Sequence, residues 1–252
     1  MPKIYDIVCY NGERELFEIR YNVLKPYVDE FIVVEFDKTF SGKPRNNYFN
    51  NVYEKTRHYF NPESLYGKYK ELAENSPNTK GAEHWKTEFM QKESIKDRLN
   101  DLQDDDIVFI GDCDEIWEAE FALKWCHAPF RYKLKVYTYY LNNRSNEEFW
   151  GILVSPYKHI KNACLNHLRT SAWKTNFYAG WHFTSMHHQL ERKLKDSYTE
   201  EDYARPRVLN DLQDNIKNDK DFLGRNFTYK VDESQWPEWL KEHRQDYLHL
   251  LK

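Results

Sequence analysis

The sequence predicts an α/β fold with a mostly parallel central sheet flanked by helices and a helical C-terminal portion. Three observations carry that expectation. Short β-prone runs recur at Ile4 to Val8, Phe31 to Phe36 and Ile107 to Ile110. The last two are continuous rather than alternating, as in strands buried on both faces. A stretch of helical period separates the first two runs, and strand, helix, strand within about 36 residues is the unit from which parallel sheets are built.

The elements follow in order. Lys3 to Cys9 reads as a strand that Asn11-Gly12 breaks. From Glu13, a helical face is formed by Leu16, Ile19, Val23, Leu24 and Tyr27, and Pro26 ends or kinks it. Phe31 to Phe36 is the second strand. Residues 37 to 80 are polar and turn-rich, with Ser41 to Pro44 as a turn, Asn46, Asn47, Asn50 and Asn51 after it, and Asn75 to Gly81 as a loop. A second long helix is expected from Ala82, with Trp85, Phe89, Leu99 and Leu102 on its inner side. Ile107 to Ile110 is a central strand. Residues 131 to 141 alternate like a half-exposed strand, and Trp150 to Val154 pairs with it across a polar loop from Asn142 to Glu148. Phe177 to Phe183 is a further strand, and Gln189 to Tyr198, Val208 to Ile216 and Trp239 to Leu250 are helices.

Length and composition narrow the function classes. The 252 residues hold no internal repeat and no low-complexity linker, so one domain is expected. Lys and Arg number 37 against 41 Asp and Glu, and the net charge of −4 argues against a generally basic nucleic-acid binder. The 15 Phe, 19 Tyr and 8 Trp supply a core and surfaces for a ring-bearing ligand. No apolar stretch approaches the roughly 18 residues of a membrane span, and the N-terminus lacks the pattern of a signal peptide. Cys9, Cys113, Cys126 and Cys164 form no CxxC pair and read as reduced thiols, so a cytoplasmic location is expected. The sequons at Asn143 and Asn226 read as chance.

The segment richest in chemistry is Asp112-Cys113-Asp114. Ligands of open α/β sheets bind beyond the carboxyl ends of the strands. Carboxylates there suit a hard divalent cation, Mg²⁺ or Mn²⁺, that bridges phosphates and neutralises a departing diphosphate. Glu115 adds a third acid. His182, in Gly180-Trp181-His182, is a candidate for the metal or phosphate shell; His187 and His188 nearby lack zinc spacing. Glu35 ends the second strand and is a candidate acceptor for a ribose hydroxyl or base edge. Lys43, Arg45, Lys193 and Lys195 are candidates for phosphate contacts, each also explained as solvated charge. No GxGxxG, GxxxxGK[ST] or GxSxG is present.

Together these segments resemble the β-1,4-mannosyl-glycoprotein 4-β-N-acetylglucosaminyltransferases, glycosyltransferase family 17. The resemblance runs from Ile4-Tyr5-Asp6 through Glu13 with Leu16-Phe17-Glu18-Ile19-Arg20, Val28 to Glu35, Lys38 to Pro44, and Trp85, Glu88 and Gln91. It continues at Asp106-Ile107-Val108, at Asp112 to Ile116 and at Ala179 to Phe183, covering residues 4 to 200. Departures are Asn11-Gly12-Glu13 where the family often has Phe-Asn-Glu, Cys113 inside the Asp-x-Asp, and Trp117 in place of a common Pro. The animal members carry a membrane anchor, which this chain lacks, so a bacterial, phage or viral relative with another acceptor is expected.

The resemblance implies a GT-A-like fold, with residues 1–117 as a nucleotide-sugar half and 118–252 as an acceptor-side half. It implies an inverting, metal-dependent transfer from a UDP-sugar, UDP-N-acetylglucosamine above all, to a hydroxyl of a glycan or glycoconjugate. Asp112 and Asp114 would then hold the metal with His182, Asp114 being catalytic, and Glu35 and Lys43 would contact the nucleotide. The base is open among Glu147, Glu148, Glu191 and Asp232, with the loop residue Glu148 placed first. Alternatives are a transferase acting on modified bases in DNA, a non-catalytic nucleotide-sugar-binding protein and a metal-dependent phosphohydrolase.

Overall fold

Strand, helix and strand form at the N-terminus as their sequences require. The computed structural model describes residues 2–46, 48–79, 82–197 and 206–252. The first half runs β1 (Ile4–Cys9), α1 (Arg14–Leu24), β2 (Glu30–Phe36), β3 (Thr56–Asn61), α2 (Glu63–Tyr66), α3 (Lys70–Glu74), α4 (Glu83–Glu93) and β4 (Ile107–Asp112). It continues with β5 (Glu115–Trp117), α5 (Ala119–Ala122), β6 (Phe130–Thr138), β7 (Asn143–Ser145), β8 (Phe149–Pro156), α6 (Leu165–Ser171) and β9 (Trp173–Thr184). Last come α7 (Leu190–Ser197), α8 (Pro206–Lys217), β10 (Tyr229–Val231) and α9 (Glu238–Glu242).

One mixed sheet has the order β10-β7-β6-β8-β4-β1-β2-β3, with β9 pairing β6 and β5. β3, β2, β1 and β4 are mutually parallel. β8 then runs antiparallel to β4 and β6, while β9 lies parallel to β6. Parallel pairing covers most of the paired length, as expected.

The continuous apolar runs are continuous because both faces of the sheet are covered. On one face Ile7, Ile32, Val34 and Ile110 pack with Ile95, Leu99 and Leu165. On the other, Phe31 and Phe109 meet Leu16, Ile19 and Leu24 of α1, with Trp117 and Trp236 beyond. Phe109 and Trp117 stack with ring centroids 4.0 Å apart.

Several expectations need correction. The turn-rich stretch 37–80 contains β3, an edge strand whose Thr-Arg-His-Tyr-Phe-Asn sequence is only half-buried and so has no apolar run. The helix from Ala82 stops at Glu93, where the Ser94 hydroxyl donates to the Gln91 carbonyl and the chain tightens into a 3₁₀ turn over Ser94–Arg98. Leu99 and Leu102 are buried as expected, but beyond that helix. The loop 142–148 contains β7, which pairs β6 and β10. The C-terminal helix is divided: α9 gives way to a 3₁₀ segment, Arg244–Leu250, with Tyr247 outside helical geometry. Tyr198, Asn47 and the residues Lys80 and Gly81 of the expected loop lie outside the described residues.

Candidate active site

β1 and β4 are parallel neighbours in register, with Cys9 opposite Asp112. Their carboxyl ends therefore release two chain segments at one edge, 10–13 and 112–115, and a cavity of about 390 Å³ opens there. Asp112, Asp114 and His182 all line it, together with Glu13, Lys92, Glu147, Phe149 and Lys193.

The turn that carries the aspartates is fixed from beneath. Arg20 of α1 is fully buried, and its Nε and Nη2 donate to the two carboxylate oxygens of Asp6 at 2.7 Å each. Its Nη1 donates to the Asp112 carbonyl at 3.1 Å and to the Glu115 carbonyl. Trp117 Nε1 donates to Asp6 Oδ1 at 2.8 Å. Glu115, also buried, accepts from the backbone N–H of Asp112 at 3.2 Å and of Ile152 at 2.9 Å. Glycine is needed beside it: a Cβ on Gly151 would stand 2.6 Å from the Glu115 carboxyl carbon. The turn is thus built from paired buried charges, which tolerate loss of a partner poorly.

β9 brings His182 to this turn. His182 is opposite Glu115 in the antiparallel β5–β9 pair, and Phe183 N–H donates to the Asp114 carbonyl at 2.9 Å. Gly180 allows the approach, since a Cβ there would meet the Ile116 carbonyl oxygen at 2.2 Å. His182 Nε2 lies 3.6 Å from Asp114 Oδ1, and its ring stacks on Phe149 at 4.2 Å. Its Nδ1 is buried with no partner among the described residues.

The two aspartates differ in their partners. Asp112 keeps 38% of its side chain exposed and faces Lys92 at 3.1 Å and Arg169 at 3.5 Å. Burial pushes its carboxyl up, but Lys92 and Arg169 outweigh that and hold it well below the ordinary range. Asp114 is buried and meets Lys193 of α7 at 3.0 Å as well as His182. Burial again pushes it up, and Lys193 and His182 outweigh that. For His182, burial lowers the imidazole, and the Asp114 charge more than reverses it. Glu13 goes the other way: burial raises its carboxyl, although it accepts the Asn11 N–H at 2.6 Å.

A family model, glycosyltransferase family 17, matches residues 1–230. The chain belongs to glycosyltransferase family 17. No curated protein matches the transferase significantly. Among solved structures it is similar to the 2-C-methyl-D-erythritol 4-phosphate cytidylyltransferase (IspD) of Francisella tularensis, at 12% identity and a TM-score of 0.35. That similarity covers 63% of this chain and 75% of the other. Among the described residues of the transferase, no helix is long and apolar enough to cross a membrane.

The structure gathers Asp112, Asp114 and His182 in the cavity but places other expected residues elsewhere. Glu35 is fully buried away from it, accepting from the backbone N–H of Tyr48 at 2.9 Å and Phe49 at 3.0 Å and facing His58 Nε2 at 2.9 Å. Its oxygens are spent anchoring that segment. Lys43 donates instead to the Lys195 carbonyl at 2.9 Å, near the C-terminal end of α7, where carbonyls lack helical partners. Glu148 is exposed and ion-paired with Lys133, away from the cavity. Glu191 pairs with Lys195 at 2.6 Å, and Asp232 faces Lys230 and Ser234. Of the four candidate bases only Glu147 lines the cavity, 3.1 Å from Arg225.

Sequence reasoning assigned no role to Lys92, Arg169 or Glu13. Lys92 looks like a helix-surface lysine, yet it is buried between Glu88 at 2.6 Å and Asp112. The legible signal was Glu88 four residues before Lys92, an ion-pair spacing on one helix face.

Proposed function

We propose that the protein transfers a sugar, N-acetylglucosamine in the first instance, from a UDP-sugar to a hydroxyl of a glycan or glycoconjugate, with inversion, in a fold of the GT-A kind. The observation that carries this is the convergence of Asp112, Asp114 and His182 on one cavity at the carboxyl edge of parallel strands, in a family 17 chain.

The donor set fits a divalent cation. Among the described residues no three His, Cys, Asp or Glu side chains form a metal cage of their own. Mg²⁺ in nucleotide sites is typically held by only one or two carboxylates, with phosphate oxygens and water completing the shell. Asp112 and Asp114 would hold it, and His182, which lines the same cavity, is a further candidate for that shell or for a phosphate contact. When bound, the metal supplies Lewis-acid stabilisation of the departing diphosphate. Lys92 and Lys193, already beside the aspartates, carry the positive charge against which phosphate oxygens settle. Phe149 keeps water from one side of His182.

The acceptor hydroxyl must lose a proton as it attacks an oxocarbenium-like centre. We assign that role to Glu147 in place of Glu148, because it alone of the four candidate carboxylates lines the cavity. Arg225 orients it. Residues 1–117 supply the donor side and 118–252 the acceptor side in this reading.

The test is release of UDP from UDP-N-acetylglucosamine with Mn²⁺, across a panel of glycan acceptors, for the wild type, Asp114→Ala and Glu147→Gln. Acceptor-dependent release lost in both variants supports the reading. Full activity of Asp114→Ala overturns it.

A further inference from the structure

A second cavity, of about 320 Å³, backs onto the first and shares Asp112, Lys92, Trp85 and Phe149 with it. Its volume is within the range of small-molecule sites. Its wall carries three carboxylates, Glu88, Asp112 and Glu115, and three cations, Lys92, Arg131 and Arg169. Glu88 is paired with Lys92, Asp112 with Lys92 and Arg169, and Glu115 with two backbone N–H groups. Every carboxylate on its wall is therefore already engaged.

The guanidiniums are only partly engaged. Arg131, half-buried on β6, donates to the Trp150 carbonyl and has no ion pair among the described residues. Burial lowers its pKa, the neighbouring Arg169 charge lowers it further, and the Glu115 carboxylate offsets them only in part. Arg169 reaches Asp112 through Nη2, while its Nη1 is buried without a hydrogen-bond partner among the described residues. Two guanidiniums with spare donors, in a cavity walled by Trp85, Phe149 and Trp150, form a site for an anion carried on a sugar ring. Guanidinium forks match carboxylate and phosphate, and aromatic faces cover the apolar side of a ring.

We infer that this second cavity binds the anionic group of an acidic sugar acceptor, through a carboxylate or phosphate held by Arg131 and Arg169, beside the main cavity that takes the donor and carries Glu147. Calling the ligand an acceptor rests on the transfer reading; the charge preference does not.

The test titrates the nucleotide-free protein with glucuronate, glucose 6-phosphate and glucose, using calorimetry, for the wild type, Arg131→Gln and Arg131→Lys. Thermal melts check that each variant is folded. At least one charged sugar is expected to bind about tenfold or more tightly than glucose, and which one distinguishes carboxylate from phosphate. Arg131→Gln should erase the preference and Arg131→Lys should keep part of it. Equal binding of charged and neutral sugars by the wild type, no binding of either charged sugar, or a preference intact in a folded Arg131→Gln would overturn the inference. If UDP fails to bind while the charge preference holds, the donor reading fails and this site stands.

Discussion

The two rims of the main cavity are held in different ways. The sheet rim carries Asp112 and Asp114 on a turn locked by Arg20, Asp6, Trp117 and Glu115, all fully or almost fully buried. The helical rim is α7, which packs through Leu190 and Leu194 onto Tyr139, Leu212 and Ile216 and is tied at its end to Ser41 and Lys43. Its Lys193 keeps 38% of its side chain exposed, against 7% for Lys92. The difference teaches which cation is exchangeable. Lys92 is part of the packed frame, whereas Lys193 meets Asp114 from a half-exposed position and can yield to an incoming charge.

The contrast is open to direct attack. The largest effect should come from the frame: Asp6→Ala leaves Arg20 buried without its partner and should cost about 3–5 kcal/mol in urea unfolding. A cost under about 1 kcal/mol would show the turn to be less dependent on that pair. Asp114→Asn should leave the fold intact and lower transfer by about a hundredfold or more, roughly 2.7 kcal/mol of barrier, read as UDP release.

Glu13 sharpens the comparison through pH. Its carboxyl is raised above 4.5 by burial, so the folded state binds that proton more tightly than the unfolded one. Its contribution to stability therefore falls as pH rises from about 4.5 through the folded value, and above that it persists as a fixed cost. Glu13→Gln should gain on the wild type across that window and hold the gain at higher pH, in unfolding curves from pH 4 to 8. A constant difference over that range would contradict this. Lys193→Met removes the main charge facing the buried Asp114 and should cost about 1–3 kcal/mol, less than Asp6→Ala, in the same unfolding measurement. Glu148→Gln should leave transfer within about twofold of wild type, because its partner is Lys133 at the surface.

The fold was legible where apolar runs are long. Phe31 to Phe36 and Ile107 to Ile110 declare themselves because both faces of those strands are covered. β3, β7 and β10 do not, being short or half-exposed and held by pairing with neighbours rather than by their own pattern. In the site, Asp112, Asp114 and His182 were legible from their motifs and strand ends. Glu35 was misplaced because a strand end fixes where a residue sits but not which segment its oxygens hold. Arg169 was hidden on α6, a helix of seven residues too short to show a period.

The most direct measurement is calorimetric titration of UDP-N-acetylglucosamine, with and without Mn²⁺, into the wild type and Asp114→Asn. Binding that requires Mn²⁺ in the wild type and is lost in the variant is the predicted result. Binding of equal strength in both proteins, indifferent to Mn²⁺, would contradict the placement of the donor and its metal at Asp114.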